Sequence, residues 1–319
     1  MLLWSSMRVS PRPRSRRKVT TLAAALLAVC LAVAIGVTGP ASSAAAASAH
    51  GAGGMRIGTV DWTIAEILLS LDVVPTAVAQ TTEYQAWVGE PELPDSVVDL
   101  GLRAQPNREL LAALNLDRFL LSPLFQALEP TLSRIVPVTS LSIYNPGGDL
   151  WQSLTEATRK TAALAGVPDR AETVIDDHRR RIEQVRRRLP DAGMALLVVQ
   201  FIDSRHVRVY GKGSLFQMVL DRLGLDNAWQ GGTNLWGYAT VGIEDLTAAG
   251  YLVVVDPMPM GVTGHLADNR IWQALPAVAA DRVVHLPAVW SFGALPSAAR
   301  FAEELGRALN RARQGGGDA

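Results

Sequence analysis

The stretch "DRAETVIDDHRRRIEQVRRRL", Asp169 to Leu189, decides the fold. Ala171, Val174, Ile175, His178, Ile182, Val185 and Leu189 recur at helical spacing and form one stripe. Arginines 179–181 and 186–188 fall largely off that stripe and read as a solvated face rather than a nucleic-acid surface. Asp169 is placed to cap this helix. A helix of about 20 residues spans roughly 30 Å, enough to bridge two lobes. Leu150 to Leu189 has no strand pattern and reads as helix interrupted around Gly166–Pro168. Residues 150–190 are therefore assigned to a helical connector.

On both sides of the connector, short apolar runs alternate with helical patterns. Val73–Ala79, Phe119–Ser122, Ala195–Ile202, Tyr251–Val255 and Arg282–Leu286 read as buried strands. Ile64–Leu71, Asn107–Leu114 and Ser214–Leu223 read as helices between them. This alternation predicts α/β layers with largely parallel sheets. The chain's 319 residues, 49% of them apolar, suffice for two such units. Residues 50–149 form the expected N-terminal lobe and residues 191–319 the C-terminal lobe. The lobes echo one another: "NRELLAALNLDRFLLS" (Asn107–Ser122) and "GIEDLTAAGYLVVVD" (Gly242–Asp256) each set a glutamate, Glu109 or Glu244, in the first turn of a short apolar helix before a strand. The simple reading is complementarity to the helix dipole; a matched pair also suits a symmetric partner docked across both lobes.

The first 49 residues read as an export signal. Six basic residues from Arg8 to Lys18 precede the apolar run Leu22–Val37 and the small-residue run Ala44–Ala49. "SRRKVT" (Ser15–Thr20) partly matches a twin-arginine signal. Cleavage near Ala49 would release the mature chain to the periplasm, and an uncleaved membrane anchor is the alternative. Cys30 is the only cysteine, and Val29 before it is too bulky for a lipoprotein box. Cleavage would leave no thiol for a disulfide or thiolate metal site. Removing the six signal charges from 30 basic residues leaves 24 against 30 acidic ones, so the body has no basic footprint for nucleic acid.

Catalytic signatures are scarce. Gly211–Ser214 fails the spacing of a phosphate-binding loop, and Ser214 reads as the cap of the following helix. There is no nucleophile elbow and no zinc-protease motif. His178, His206, His265 and His285 never fall at metal-ligand spacing. The chain therefore reads as a binding protein rather than an enzyme, with no intrinsic cofactor or metal.

Candidate ligand contacts are aromatic. In "NAWQGGTNLWGYATVGIEDL" (Asn227–Leu246), Trp229 reads as an anchor of the turn against the core. Trp236 reads as a cleft wall, Gly237 as a point of close backbone approach, and Tyr238 as a possible donor. Arg103 follows the strand-like Val97–Leu100 and Gly101, before a helix started at Pro106. That strand-end place suits ligand contact in α/β sheets, although a surface salt bridge with Glu90, Glu92 or Asp95 fits the spacing equally.

Three long stretches carry a resemblance: "YQAWVGEPELPDSVVDLGLRAQPNRELL" (Tyr84–Leu111), "DSRHVRVYGKGSLFQMVLDRLGLDNAWQGGTNLWG" (Asp203–Gly237) and "LPAVWSFGALPSAARFAEEL" (Leu286–Leu305). With them, nearly everything after the signal resembles the periplasmic ferric hydroxamate (ferrichrome-type) siderophore-binding proteins of bacterial ABC importers. The resemblance implies a class III periplasmic binding protein fold, in which two Rossmann-like α/β lobes are joined by a single long helix. It implies a ligand whose Fe3+ is already coordinated by the siderophore, so that the protein supplies no metal ligand. Arg103 matches the family's hydroxamate-binding arginine, Trp87 its N-lobe tryptophan, Trp236 its C-lobe tryptophan and Trp290 a third wall. Phe125 and Phe292 stand where the family would have tyrosines, each keeping a ring and losing a hydroxyl. Glu109 and Glu244 match carboxylates that dock to an inner-membrane ABC permease with its ATPase. The carrier is expected to be a monomer. A carrier for a catecholate siderophore, haem or corrinoid on the same scaffold is the alternative, and an exported enzyme a more distant one.

Overall fold

Alternate residues of the central strands point into different cores, and this decides how the layers stack. The computed structural model describes residues 54–144, 147–189, 195–247 and 250–315. The expected export signal, with Cys30 and Ala49, lies outside the described residues. The first sheet is built from β1 (Ile57–Thr59), β2 (Ala77–Val78), β3 (Val98–Asp99), β6 (Arg118–Leu121) and β7 (Val138–Ser140). A small hairpin, β4 (Gly101–Leu102) with β5 (Gln105–Pro106), follows β3. The sheet order is β3-β2-β1-β6-β7, and every pair is parallel. Helices α1 (Trp62–Ser70), α2 (Thr81–Trp87), α3 (Arg108–Ala113) and α4 (Glu129–Leu132) accompany it.

Helices α5 (Leu150–Leu164) and α6 (Arg170–Arg188) lead from this sheet to the second. That sheet holds β8 (Ala195–Phe201), β9 (His206–Tyr210), β10 (Asp226–Asn227), β11 (Tyr238–Gly242), β12 (Tyr251–Val255) and β13 (Val283–Leu286). Its order is β11-β9-β8-β12-β13, with β10 paired to the start of β8. Between strands lie α7 (Leu215–Leu223), α8 (Val262–Ala267), α9 (Arg270–Ala274) and α10 (Pro276–Ala279). Helix α11 (Leu295–Gly315) closes the described chain.

Leu120 of β6, Leu196 and Val198 of β8, and Val253 and Val255 of β12 all face one large core shared with α1, α5, α6, α7 and α11. The intervening residues turn away from it. Phe119 and Leu121 enter an outer core of the first lobe, whereas Leu197, Val199, Leu252 and Val254 enter one of the second. Strands buried on both faces read as unbroken apolar runs, which is why these were visible in the sequence. Helix α6 buries Ala171, Ile175, His178 and Ile182 as its stripe requires, with Val174, Val185 and Leu189 packed beside them. Burial lowers the His178 pKa from its usual value.

Several local expectations are corrected. The connection comprises α5 and α6, with the expected interruption around Gly166–Pro168, and α11 also packs against α1 and α6. Arg181 is accordingly not merely solvated, for it pairs with Glu303 of α11 at 2.8 Å. Asp169 stands at the start of α6 without a capping side-chain bond. Carbonyls of Val167 and Pro168 already accept from the N–H groups of Arg170 and Ala171. Pro106 ends a hairpin strand, and Asn107 caps α3 through Leu110 N. The expected strand Val73–Ala79 shrinks to Ala77–Val78, because Val73 N bonds back to Leu68 O and Pro75 has no donor. The second sheet is mixed, since β9 is antiparallel to both β8 and β11. After Gly242 there is only a 3-10 turn, Ile243–Asp245, where a short apolar helix was expected; Ile243 and Leu246 are both buried in the outer core of that lobe.

Phe301 of α11 is fully buried, 4.3 Å from the ring of Phe216 on α7. Phe301→Ala should lower unfolding free energy by about 3–5 kcal/mol in urea denaturation. A loss below about 1 kcal/mol would contradict the placement of α11 in the shared core.

Candidate functional site

The carboxyl ends of the first sheet's strands converge on one cavity of about 240 Å3. Asp61 follows β1, Ser122 follows β6, and Ile143 and Tyr144 follow β7. Strands β1 and β6 are adjacent although their chain connections run to opposite sides. Ligands of open α/β sheets sit at such a switch point. From the second lobe come Trp236, Tyr238 at the head of β11, and Trp290 and Phe292 beyond β13. A larger groove of about 630 Å3 lies between α5, α6 and α7, but charged residues such as Arg179, Glu183 and Arg222 line it. The smaller cavity is the one that gathers the expected site residues.

Arg103 is fixed by stacking. Its guanidinium carbon lies 4.1 Å from the Trp62 ring centre, 4.8 Å from Phe125 and 5.6 Å from Trp290. Trp62 is itself locked, its indole N–H donating to Ala79 O at 2.9 Å. Arg103 Nε donates to Val60 O at 2.9 Å, whereas neither terminal nitrogen has a protein partner among the described residues. Burial pulls the guanidinium below the usual arginine value, and the Asp61 carboxylate opposes this. Glu90, a possible salt-bridge partner on spacing, instead pairs with Arg300 at 2.6 Å.

The aromatic walls interlock edge to face. Phe292 lies 5.4 Å from Trp290, 5.8 Å from Trp236 and 6.3 Å from Tyr238. The Tyr238 hydroxyl has no protein partner among the described residues. The loop carrying Trp236 depends on Gly237, which has φ +76°; a Cβ there would stand 2.2 Å from Ser214 N. Trp229 packs against the second lobe's outer core, away from the cavity.

Two expected wall residues are placed differently. Trp87 does not line the cavity; its ring stands 6.2 Å from Trp290 and supports it, packed against the cluster that Tyr84, Val88 and Trp290 form. Phe125 also misses the lining, which takes Pro123 and Leu124 from the same 3-10 turn, Pro123–Leu128. It acts on the site through its stack on Arg103. Trp62, Asp61, Thr63, Ser122 and Tyr144 were not foreseen. Asp61 opens α1 with a side chain accepting from Thr63 N, an N-cap pattern the sequence offered. Nothing local in the sequence indicated that Trp62 lies under Arg103. Glu109 and Glu244 lie outside this cavity, both exposed and without an ion-pair partner among the described residues. No group of three or more metal-binding side chains occurs among the described residues.

The wall segment from Trp290 to Ser297 is gripped by the first lobe. Thr63 Oγ1 donates to Phe292 O, and the Tyr144 hydroxyl donates to Gly293 O at 2.7 Å. Glu66, completely buried on α1, accepts from Ala294 N at 3.1 Å, Ser297 N at 3.2 Å and Ser297 Oγ at 2.9 Å. Burial outweighs these three donors and raises the Glu66 pKa from 4.5 to about 8.

The folded protein therefore holds the Glu66 proton more tightly than the unfolded chain does. Its contribution to stability is complete below about pH 4.5 and is lost as pH rises through about 8. Urea unfolding across that window should show a wild-type stability slope that Glu66→Gln flattens, by up to about 1.4 kcal/mol per pH unit. Parallel profiles for the two proteins would refute the assignment.

The sequence profile described as "Periplasmic binding protein" matches residues 57–289. The Iron(3+)-hydroxamate-binding protein FhuD of Escherichia coli (strain K12) is 37% identical over 257 residues, covering 80% of this chain and 86% of that protein. The crystal structure of the Fe3+–Desferal-bound siderophore-binding protein FhuD from Vibrio cholerae superimposes with a TM-score of 0.76 at 28% identity. That match covers 81% of this chain and 98% of the Vibrio chain. The triscatecholate siderophore-binding protein FeuA of Bacillus subtilis shares the fold at 18% identity, with a TM-score of 0.65 over 81% of this chain and 92% of its own.

Proposed function

This chain belongs to the periplasmic binding protein family, and on that premise we propose that it captures ferric hydroxamate siderophores for an ABC importer. The observation that carries the reading is Arg103, stacked between rings at the switch point with both terminal nitrogens free to donate. Charge-assisted bonds from a pre-positioned fork suit the oxygen cage of a hydroxamate complex. Trp236, Trp290, Phe292 and Leu124 offer the apolar flanks of the chelate a surface to cover. Iron arrives already coordinated, so the site's task is to recognise the outside of the complex.

Two hydroxyls expected from the family are missing at Phe125 and Phe292. Tyr238, whose hydroxyl faces no protein partner among the described residues, takes up one donor role. Phe125 and Trp87 serve by holding Arg103 and Trp290 in place. Calorimetric titration with a neutral ferric tris-hydroxamate should show Arg103→Ala weakening affinity by about ten- to a hundredfold. Near-normal affinity would reduce Arg103 to a structural cation.

Export to the periplasm and delivery to an inner-membrane permease with its ATPase complete the reading, with the carrier acting as a monomer and performing no catalysis. Glu109 on α3 and Glu244 in the 3-10 turn after β11 present exposed carboxylates, one from each lobe, to basic residues of the permease. Glu109→Ala combined with Glu244→Ala should abolish siderophore-dependent uptake while calorimetric affinity stays within about twofold of wild type. Loss of binding in that double variant, or normal uptake, would remove the docking role.

A further inference from the structure

We propose that Asp61 selects the charge of the chelate: set against Arg103, it makes the cavity electroneutral, favouring neutral complexes over anionic ones. The inference rests on the reading of this cavity as a siderophore site.

Asp61 is 3% exposed, and its carboxylate is held at both oxygens. Thr63 N donates to Oδ1 at 2.9 Å, and the Ser122 hydroxyl donates to Oδ2. Its own N–H donates to Thr59 Oγ1, whose hydroxyl in turn donates to Leu120 O. The carboxylate is thus fixed to the ends of both strands at the switch point. Arg103 is tied to the same place, because its Nε donates to the carbonyl of Val60, the residue before Asp61. The two residues act on one another electrostatically and are the charged residues lining the cavity among the described residues.

A buried carboxylate is costly and weakens any pull that Arg103 would exert on an anion. Its presence in the wall leaves Arg103 as a source of hydrogen bonds without net attraction for negative charge. Three hydroxamates, each a monoanion, balance the ferric ion and give a neutral complex. Three catecholates, each a dianion, leave a trianion, which Asp61 repels across a cavity that is otherwise largely aromatic.

The test uses the intact mature protein and its Asp61→Asn variant with three probes. These are a neutral ferric tris-hydroxamate, the same chelate bearing one appended carboxylate, and a ferric tris-catecholate. Wild type should prefer the neutral chelate over the carboxylate-bearing one by about tenfold or more, and Asp61→Asn should narrow that gap at least about threefold. A folded variant with an unchanged gap overturns the assignment while leaving the siderophore reading intact. Failure of wild type to bind any hydroxamate overturns both. Should the variant not fold, wild type alone decides through a salt series. Its affinity for the carboxylate-bearing chelate should stay flat as ionic strength falls, and a rise would reveal a net positive cavity and overturn the proposal.

Discussion

Glu66 ties the beginning of the described chain to its end. Its carboxylate lies on α1, yet its three donors belong to Ala294 and Ser297, where α11 begins. The first turn of a helix has N–H groups without intrahelical acceptors, and the oxygens of the Glu66 carboxyl meet that need. Because α11 is seated in this way, the segment before it is also fixed. Trp290 and Phe292, which follow a strand of the second sheet, therefore lie against Trp62, Thr63 and Tyr144 of the first lobe. The cavity's aromatic floor is thus part of the N-terminal lobe's packing. Parting the lobes would require breaking these bonds and separating α11 from α6.

This arrangement suits a binding site that must be ready before the ligand arrives. Arg103 is held by three rings and one backbone carbonyl, so few of its rotamers remain to be lost on binding. The rings that hold it are themselves supported, Trp62 by Ala79 O and Trp290 by Trp87. Among the described residues, the two terminal nitrogens of Arg103, the Tyr238 hydroxyl and the Trp290 indole N–H have no protein partner. A chelate with an oxygen-rich centre and apolar periphery matches that distribution. On the proposed reading, the metal's own chemistry stays inside the siderophore, and the protein's task is to recognise shape, hydrogen-bond acceptors and overall charge.

What could be read in the sequence was what depends on periodicity. The α6 stripe from Ala171 to Leu189 and the doubly buried runs around β6, β8 and β12 announced two lobes and a helical connection. Ser214 capped α7 as its position suggested, accepting from Gln217 N. Features that depend on distant pairing were hidden. The antiparallel β9 and β11 edge carries polar residues such as Arg208 and Thr240, which gave no buried run. The role of Trp87 behind Trp290, and of Trp62 beneath Arg103, depends on contacts across the fold, between residues far apart in the chain. Family resemblance identified Arg103, Trp236, Trp290 and Phe292, all of which line the cavity. It could not indicate that Phe125 touches Arg103 instead of facing the cavity, nor that Asp61 stands beside them.

The central claim, that this aromatic cavity recognises a ferric hydroxamate, is tested most directly by titrating the mature protein while following its tryptophan emission. Trp236 and Trp290 line the cavity, so an iron complex seated there must perturb them. A ferric tris-hydroxamate should quench the emission saturably at one equivalent, and replacing Trp236 with phenylalanine should reduce the amplitude. Flat emission with every hydroxamate, alongside saturable quenching by a tris-catecholate or haem, would contradict the account.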